Sequence, residues 1–337
     1  MNGRKKNTMA ALLAFALCAG AFSLTVEKEG SYSCGRQPKQ VLFSPDSSLV
    51  VLPLLDDKGF QVISLADGSH PRLIAPPRAE KLGFAEGLFI PEKQAFFVSQ
   101  MSTGYIYEYD YPSFSFRREI STGGVWSKFI AWSGDKRLLA VSNWVSNDVS
   151  LIDYESGKVL RSIKTKAAPR GLAFTKQGSE IIVLCFDGGV IQKFSTEDGK
   201  LLASCAVQKS AMRHIAVNDA ESKAYISDMY HASLYELDLS SFAITRTWKV
   251  FNNPNTIALY KDRYLFASSR GPNNKKDYTL RSPVDGKITV IDTLTGEVVL
   301  AIRGGNQPTG LDISPDGKWL CFSNFQDANI ELYRLKD

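Results

Sequence analysis

Lysine and arginine return at one fixed place in this chain. In a recurring slot resembling Pro-x-Gly, just ahead of a short apolar run, the x position is held in turn by Lys39, Glu86, Lys128, Arg170, Arg213, Asn255 and Thr309. Four of these seven are cations and one is an acid, at successive intervals of 47, 42, 42, 43, 42 and 54 residues. Cations brought to one place repel one another unless an anion meets them, and a cleft of a single sign concentrates counter-ions. Arginine adds a planar fork that grips carboxylate or phosphate through two parallel hydrogen bonds. The chemistry on offer is oxyanion recognition, provided the fold carries these positions to a common mouth. If they splay outward, or if Glu86 and nearby carboxylates neutralise them, they are ordinary surface charge.

A second set stands where a Ser-polar step gives way to a loop: Met101 in SQM, Trp144 in SNW, Met229 in SDM, Arg270 in SSR and Phe325 in SNF, with Phe186 in unit four. Loop tips ordinarily favour small polar residues. Large apolar ones at a repeated loop position form either a greasy collar around the basic mouth or wedges between neighbouring units. A collar would suit an amphipathic ligand or a protein partner. The expected ligand-binding residues are accordingly Lys39, Lys128, Arg170, Arg213, Arg270, Trp144, Met229 and Phe325.

Catalytic groups are few. The three histidines are His70 in a turn, His214 directly after Arg213, and His231 in a loop. Glu86, His214 and His231 are the alternative that would supply acid–base chemistry or a metal site. There is no G-x-S-x-G, H-E-x-x-H or dinucleotide fingerprint, so no cofactor is expected. Beyond residue 21 the cysteines are Cys34, Cys185, Cys205 and Cys321, without the close Cys or His spacing of a zinc site. Cys185 and Cys205 fall on the second and fourth strands of one unit, out of disulfide reach.

What must position these residues is the repeat itself. In unit four, period-two runs at 171–174, 180–186, 190–195 and 201–207 are separated by turns that include KQGS and EDGK. Glycine in such turns accepts the positive φ that a tight hairpin requires. A period of about 40 to 45 residues holding four short strands marks a β-propeller. The expected fold class is therefore all-β, a seven-bladed propeller with four antiparallel strands per blade. The seventh unit stops at its third strand, ELYRL, so its fourth is expected from residues 22–33, ahead of Gln37. The longest interval locates an insertion at 270–286, between the second and third strands of unit six, carrying Arg270, Lys275, Lys276 and Arg281. The loops from strand d to strand a and from b to c emerge together on what we call the upper face. The insertion is expected there beside the basic positions, where long loops on rigid scaffolds carry function.

SNWVSNDVSLIDYESGKVLRSI followed by APRGLAF, and DGKITVIDTLTGEVVLAI followed by QPTGLDISPDGKWL, resemble the repeat of the bacterial YVTN-type β-propellers. The resemblance covers about six of the seven units; VLPLLDDKGF and FFVSQMSTGY carry little of it. It implies the propeller fold. Similar propellers serve as binding proteins, lactonases, haem-d1 carriers and amine-oxidising quinoprotein subunits, so the resemblance leaves function open.

Arg4, Lys5 and Lys6 precede an apolar run at 9–17, and Ala19-Gly20-Ala21 supplies a small-residue cleavage pattern. Residues 1–21 read as a secretory signal and 22–337 as a single propeller domain. A competing reading makes Cys18 a lipidated N-terminus. The apolar run is too short to span a bilayer, so no transmembrane span is expected in the mature chain. Export to the periplasm or cell envelope follows. Of the formal net charge of +5, three positive residues lie in this segment with no acid, which leaves +2. That balance makes no case for nucleic acid or an anionic membrane as partner. Two functions stand: an exported, monomeric, non-catalytic propeller that binds a partner protein or an anionic small ligand on its upper face, or a lactonase-like or quinoprotein-type enzyme. In the second, Arg170, Arg213, His214 and Glu86 hold a carboxylated substrate.

Overall fold

The computed structural model describes residues 24–66, 71–77, 80–277 and 279–336. The signal-like segment with Cys18, and His70, lie outside the described residues. Apart from a single 3-10 turn at Pro91–Lys93, the regular structure described is all β-strand. The strands form seven four-stranded antiparallel sheets. Blade four, for example, runs Pro169–Thr175, Glu180–Cys185, Val190–Ser195 and Leu201–Ala206, close to the runs read from its sequence. From blade two to blade seven the first strands of successive blades touch one another; that of blade seven, Pro308–Ile313, meets that of blade one, Leu42–Phe43, and blade one meets the first strand of blade two through its second strand, Leu49–Pro53. The ring is closed, as a seven-bladed β-propeller.

The core is distributed around this ring. Among the described residues, seven clusters of buried apolar side chains each lie between two neighbouring blades. Blades three and four, for instance, share Val149, Leu151, Leu172, Ile181 and Val183. This explains the burial along each blade. Second strands such as Ala95–Gln100 are buried throughout, because both faces meet a neighbour. Fourth strands such as Val159–Lys164 keep one face open. A side chain of this kind contributes about 1.5–3 kcal/mol when fully buried, so no single blade holds enough of the core to stand alone.

Closure comes from the N-terminal side, as expected. Thr25–Ser33 pairs antiparallel with Asn329–Lys336 and forms the outer strand of blade seven. A register break between Lys28 and Gly30 inserts one extra residue, which accounts for the poor period-two alternation of this segment. Lys28 Nζ meets Glu331 Oε2 at 2.6 Å across the pair. On the inner side of the same seam, the Phe43 N–H of blade one donates to Asp312 Oδ2 of blade seven at 2.8 Å. Removing residues through Ser33 would bare the whole edge of Asn329–Lys336. We expect the shortened chain to melt at lower temperature than the intact one and to self-associate, read by thermal unfolding and sedimentation velocity; an unchanged melt and a monodisperse boundary would contradict the seam.

Candidate ligand-binding site

The positions singled out in the sequence are placed by an irregularity in the innermost strands. In blades two to seven the pairing of strand a with strand b slips at the same point, just before Gly87, Ile130, Leu172, Ile215, Ile257 and Leu311. The extra residues in each slip include the x position. Bulges re-aim side chains at strand ends, and they leave backbone groups that the ladder no longer pairs. In five blades a fully buried serine of strand b takes up those groups. Ser142 Oγ accepts from Phe129 N–H (3.1 Å) and donates to the Arg170 carbonyl of the next blade (2.9 Å). Ser227 joins His214 N–H to the Asn255 carbonyl, and Ser268 joins Thr256 N–H to the Thr309 carbonyl. Ser323 joins Gly310 N–H to Pro38 across the closing seam, and Ser99 joins Glu86 N–H to Lys128. The recurring Ser of the sequence is thus a blade-to-blade strut, a role the sequence did not disclose. Blade four has Leu184 instead, and a Cβ at Gly171 would lie 2.9 Å from its Cδ1, so any side chain there would have to displace Leu184.

The second set is fixed by backbone. The amides of Leu55, Met101, Trp144, Phe186, Met229, Arg270 and Phe325 donate to the carbonyls of Gln37, Gly83, Trp126, Ala168, Ala211, Asn253 and Gln307, at 2.9–3.1 Å. Each acceptor lies two or three residues before an x position, so both sets are held in one register. All seven of these side chains line a cavity of about 560 Å³ on the upper face, together with Lys39, Lys128, Arg170, Arg213 and Asn255. Every expected ligand-binding residue is therefore brought to one place. Leu55 escaped the sequence reading because blade one lacks the Ser-polar step, and the rim aromatics Trp126 and Tyr230, 43% and 63% exposed, carry no repeat signal. The insertion reaches the cavity through Asn273 and Thr279. It rests on blade seven, where Arg281 meets Asp327 at 2.6 Å and Ser282 N–H donates to Asn306 at 3.0 Å. Lys275 and Lys276 are exposed on it.

Electrostatically the cavity is one-sided. Among the described residues that line it there are five basic side chains and no carboxylate. Glu86 lies behind the wall, 2% exposed, hydrogen-bonded to Arg170 and 3.4 Å from Arg213. Burial opposes its charge, but Arg170 and then Arg213 outweigh it and hold the carboxyl below its usual range. Arg170 is itself 2% exposed, and its Nη1 finds no hydrogen-bond partner among the described residues. Such a buried donor has lost its water without replacement. Burial, then Arg170 and Arg213, push Lys128 down to about 6 despite Glu86 and Asp187. Lys39 is pushed down in the same way by burial and by Arg213, Arg270 and Arg170. Three cations also sit on aromatic faces: Lys128 Nζ is 3.6 Å from the Trp144 ring centre, and Lys39 and Arg270 lie 5.4 and 5.0 Å from that of Phe325.

This geometry can be set beside known proteins. No family model matches the chain. It is similar to antigen Lp49 of Leptospira interrogans serogroup Icterohaemorrhagiae serovar copenhageni, at 35% identity over 328 residues, covering 92% of this chain and 72% of that protein. The chain belongs to the family of antigen Lp49. The resemblance to YVTN-type propellers rests on the quoted motifs and on the fold.

Of the groups weighed for catalysis, Glu86 and His214 lie within electrostatic reach of one another. His214 packs edge-on against Phe129 at 5.4 Å, and burial holds it down to about 4, so it is neutral at pH 7. His231 is not part of the cavity lining; its Nδ1 is 2.6 Å from the buried Asp228. Among the described residues no three His, Cys, Asp or Glu come together as a metal site, and Cys34, Cys185, Cys205 and Cys321 are free thiols. No described helix is long and apolar enough to cross a membrane. If the serine struts hold the mouth together, Ser227→Ala strands the Asn255 carbonyl and the His214 N–H and should cost about 1–3 kcal/mol in urea unfolding. A loss below about 0.5 kcal/mol, the scale of an ordinary surface substitution, would remove the strut from the account.

Proposed function

We propose that this chain is an exported, non-catalytic β-propeller that binds an anionic small ligand in the cavity of its upper face. The observation that carries this reading is the buried Arg170 Nη1, without a hydrogen-bond partner among the described residues, at the wall of a pocket whose described lining holds five basic side chains and no acid. A cavity of about 560 Å³ is within the size range of small-molecule sites, which are concave and apolar with a few fixed polar groups. A small ligand fits better than a protein surface, because Arg170 and Arg213 are almost fully buried and offer little to a flat partner. Export is supported by the secretory pattern of residues 1–21 and is in keeping with the description of the relative as an antigen. The non-catalytic reading is supported by the neutral His214 and by Glu86 being engaged with two arginines.

Reversing the charge of Arg170 or Arg213 would leave Glu86 buried beside like charge and risk the fold. Arg170→Gln with Glu86→Gln removes the pair together. We expect this double variant to stay folded, melting somewhat below the wild type because Arg213 also loses its carboxylate, and to bind benzoate and inorganic phosphate at least tenfold more weakly in calorimetry, with the wild-type affinity falling as salt rises. Undiminished binding would place the anion site elsewhere.

The depressed lysines give a second expectation. Lys128 faces Arg170, Arg213, Glu86, Asp187 and the Trp144 and Trp126 rings, and it is cationic only below about 6. His214 titrates near 4 and Arg213 near 9, outside the interval that matters. Benzoate affinity should therefore be highest near pH 5.5 and fall toward pH 8, as the cation is lost above its pKa. Lys39→Met with Lys128→Met should flatten the profile; a wild-type profile already flat from pH 5.5 to 8 would refute the assignment.

A further inference from the structure

Among the described residues two lysines line the cavity, and Lys128 of blade three is placed as a reactive amine. Its backbone is fixed by the strut of the preceding blade, with Ser99 Oγ donating to the Lys128 carbonyl at 2.6 Å. Its side chain lies between two indoles, Nζ being 3.6 Å from the Trp144 ring centre and 5.4 Å from that of Trp126. The two tryptophans are themselves pinned together, since the Trp144 amide donates to the Trp126 carbonyl at 3.0 Å. No carboxylate among the described residues pairs with Lys128 Nζ, and none of their groups accepts a hydrogen bond from it. Burial, then Arg170 and Arg213, hold it down at about 6, so at pH 7.5 most of it is neutral amine. Arg213, lowered only to about 9, is still a cation there. A lysine desolvated beside other basic groups is the form of amine that adds to a carbonyl carbon.

The surroundings of the amine decide which carbonyl compound it would meet. Arg170 holds in blade four the position that Lys128 holds in blade three, so an oxyanion at Arg170 Nη1 leaves the rest of its ligand beside the amine. Trp144 and Phe186, from loops of the same two blades, lie 4.7 Å apart between ring centres and offer a planar body an apolar wall. Lys39 has Glu86 and Thr309 at the corresponding positions of its two neighbouring blades, and no arginine. We propose that the ligand carries an aldehyde or ketone beside its carboxylate or phosphate, and that Lys128 condenses with this carbonyl as a reversible Schiff base while Arg170 and Arg213 hold the anion. In that step the Nζ lone pair bonds to the carbonyl carbon, and the carbonyl π pair moves onto oxygen. Both amine hydrogens then leave with that oxygen as one water while the C=N bond forms, with nothing oxidised or reduced. Hydrolysis returns the ligand unchanged, so the adduct prolongs binding without turnover.

This inference rests on the anion-binding reading, and the test separates the two. Wild-type protein at pH 7.5 is incubated with 3-formylbenzoate, 4-formylbenzoate or benzaldehyde in the presence of cyanoborohydride, which reduces an imine to a permanent secondary amine. Peptide mass spectrometry locates the label, and calorimetry measures benzoate binding to the same protein. We expect at least one formylbenzoate to label Lys128 roughly tenfold or more above benzaldehyde, the scale of one charge-assisted hydrogen bond, and well above the exposed Lys275 and Lys276. Excess benzoate should suppress that label. Lys128→Arg, which keeps a cation but no primary amine, should be labelled no more than its exposed lysines are. Label confined to other lysines, Lys39 included, overturns the Schiff-base proposal. So does label on Lys128 that benzaldehyde gives as readily as both formylbenzoates, or that excess benzoate leaves unchanged. In each of these cases the anion site stands if benzoate binds. If benzoate does not bind and neither formylbenzoate labels Lys128, both fall. The label is mapped on wild-type peptides, so the outcome is decided even if Lys128→Arg melts early.

Discussion

The extra residue at the start of the innermost strand in blades two to seven is the constraint on which the rest of this molecule depends. A regular hairpin would pair strand a to strand b to its end and point its last side chains into the blade interfaces, where the wedge-shaped cores already fill the space. The slip before Ile130, Leu172, Ile215 and their counterparts turns the preceding residue out of that packing and toward the channel mouth. It also frees an amide in one blade and a carbonyl in the next. A serine hydroxyl is well suited to this gap because it accepts and donates at once, so the defect of one blade is bonded to the defect of its neighbour. Mouth geometry and ring cohesion are therefore the same set of contacts.

Glu86 occupies the one place in that arrangement where stability and binding conflict. Without a carboxylate, Arg170 and Arg213 would be buried as like charges with no compensation; with full compensation they would have nothing left to offer a ligand. A single acid shared by two guanidiniums is a middle course. It keeps the arginines charged and oriented while leaving Arg170 Nη1 unspent. Pre-organised donors of this kind lose little freedom on binding, which favours affinity from few contacts.

Much of this was legible in the sequence, for identifiable reasons. Blade number and most strand positions follow from a period that the wedge packing enforces seven times. The x position and the residue after the Ser-polar step could be tracked because both are counted from the same bulge. Other features left weaker traces. The closing strand, Thr25–Ser33, hides its alternation behind its own bulge at Lys28 and Gly30. Leu55 lies in a blade whose first strand is cut to Leu42–Phe43 and whose second lacks the serine. The Glu86–Arg170 and Glu86–Arg213 pairs join residues 84 and 127 positions apart, and no local pattern encodes a contact across a ring. His214 and His231 were grouped by face, but each has been claimed by its own neighbourhood, Phe129 for one and Asp228 for the other.

The collar residues are each anchored by a main-chain amide, from Leu55 to Phe325. An amide bond is indifferent to the side chain it carries, and blade six makes the point by placing Arg270 where its neighbours have Met229 and Phe325. Seven side chains around one opening can thus be exchanged one at a time while the frame that presents them stays the same. Selection can act on this rim as on the letters of a short word, respelling what it recognises without rewriting the fold that displays it.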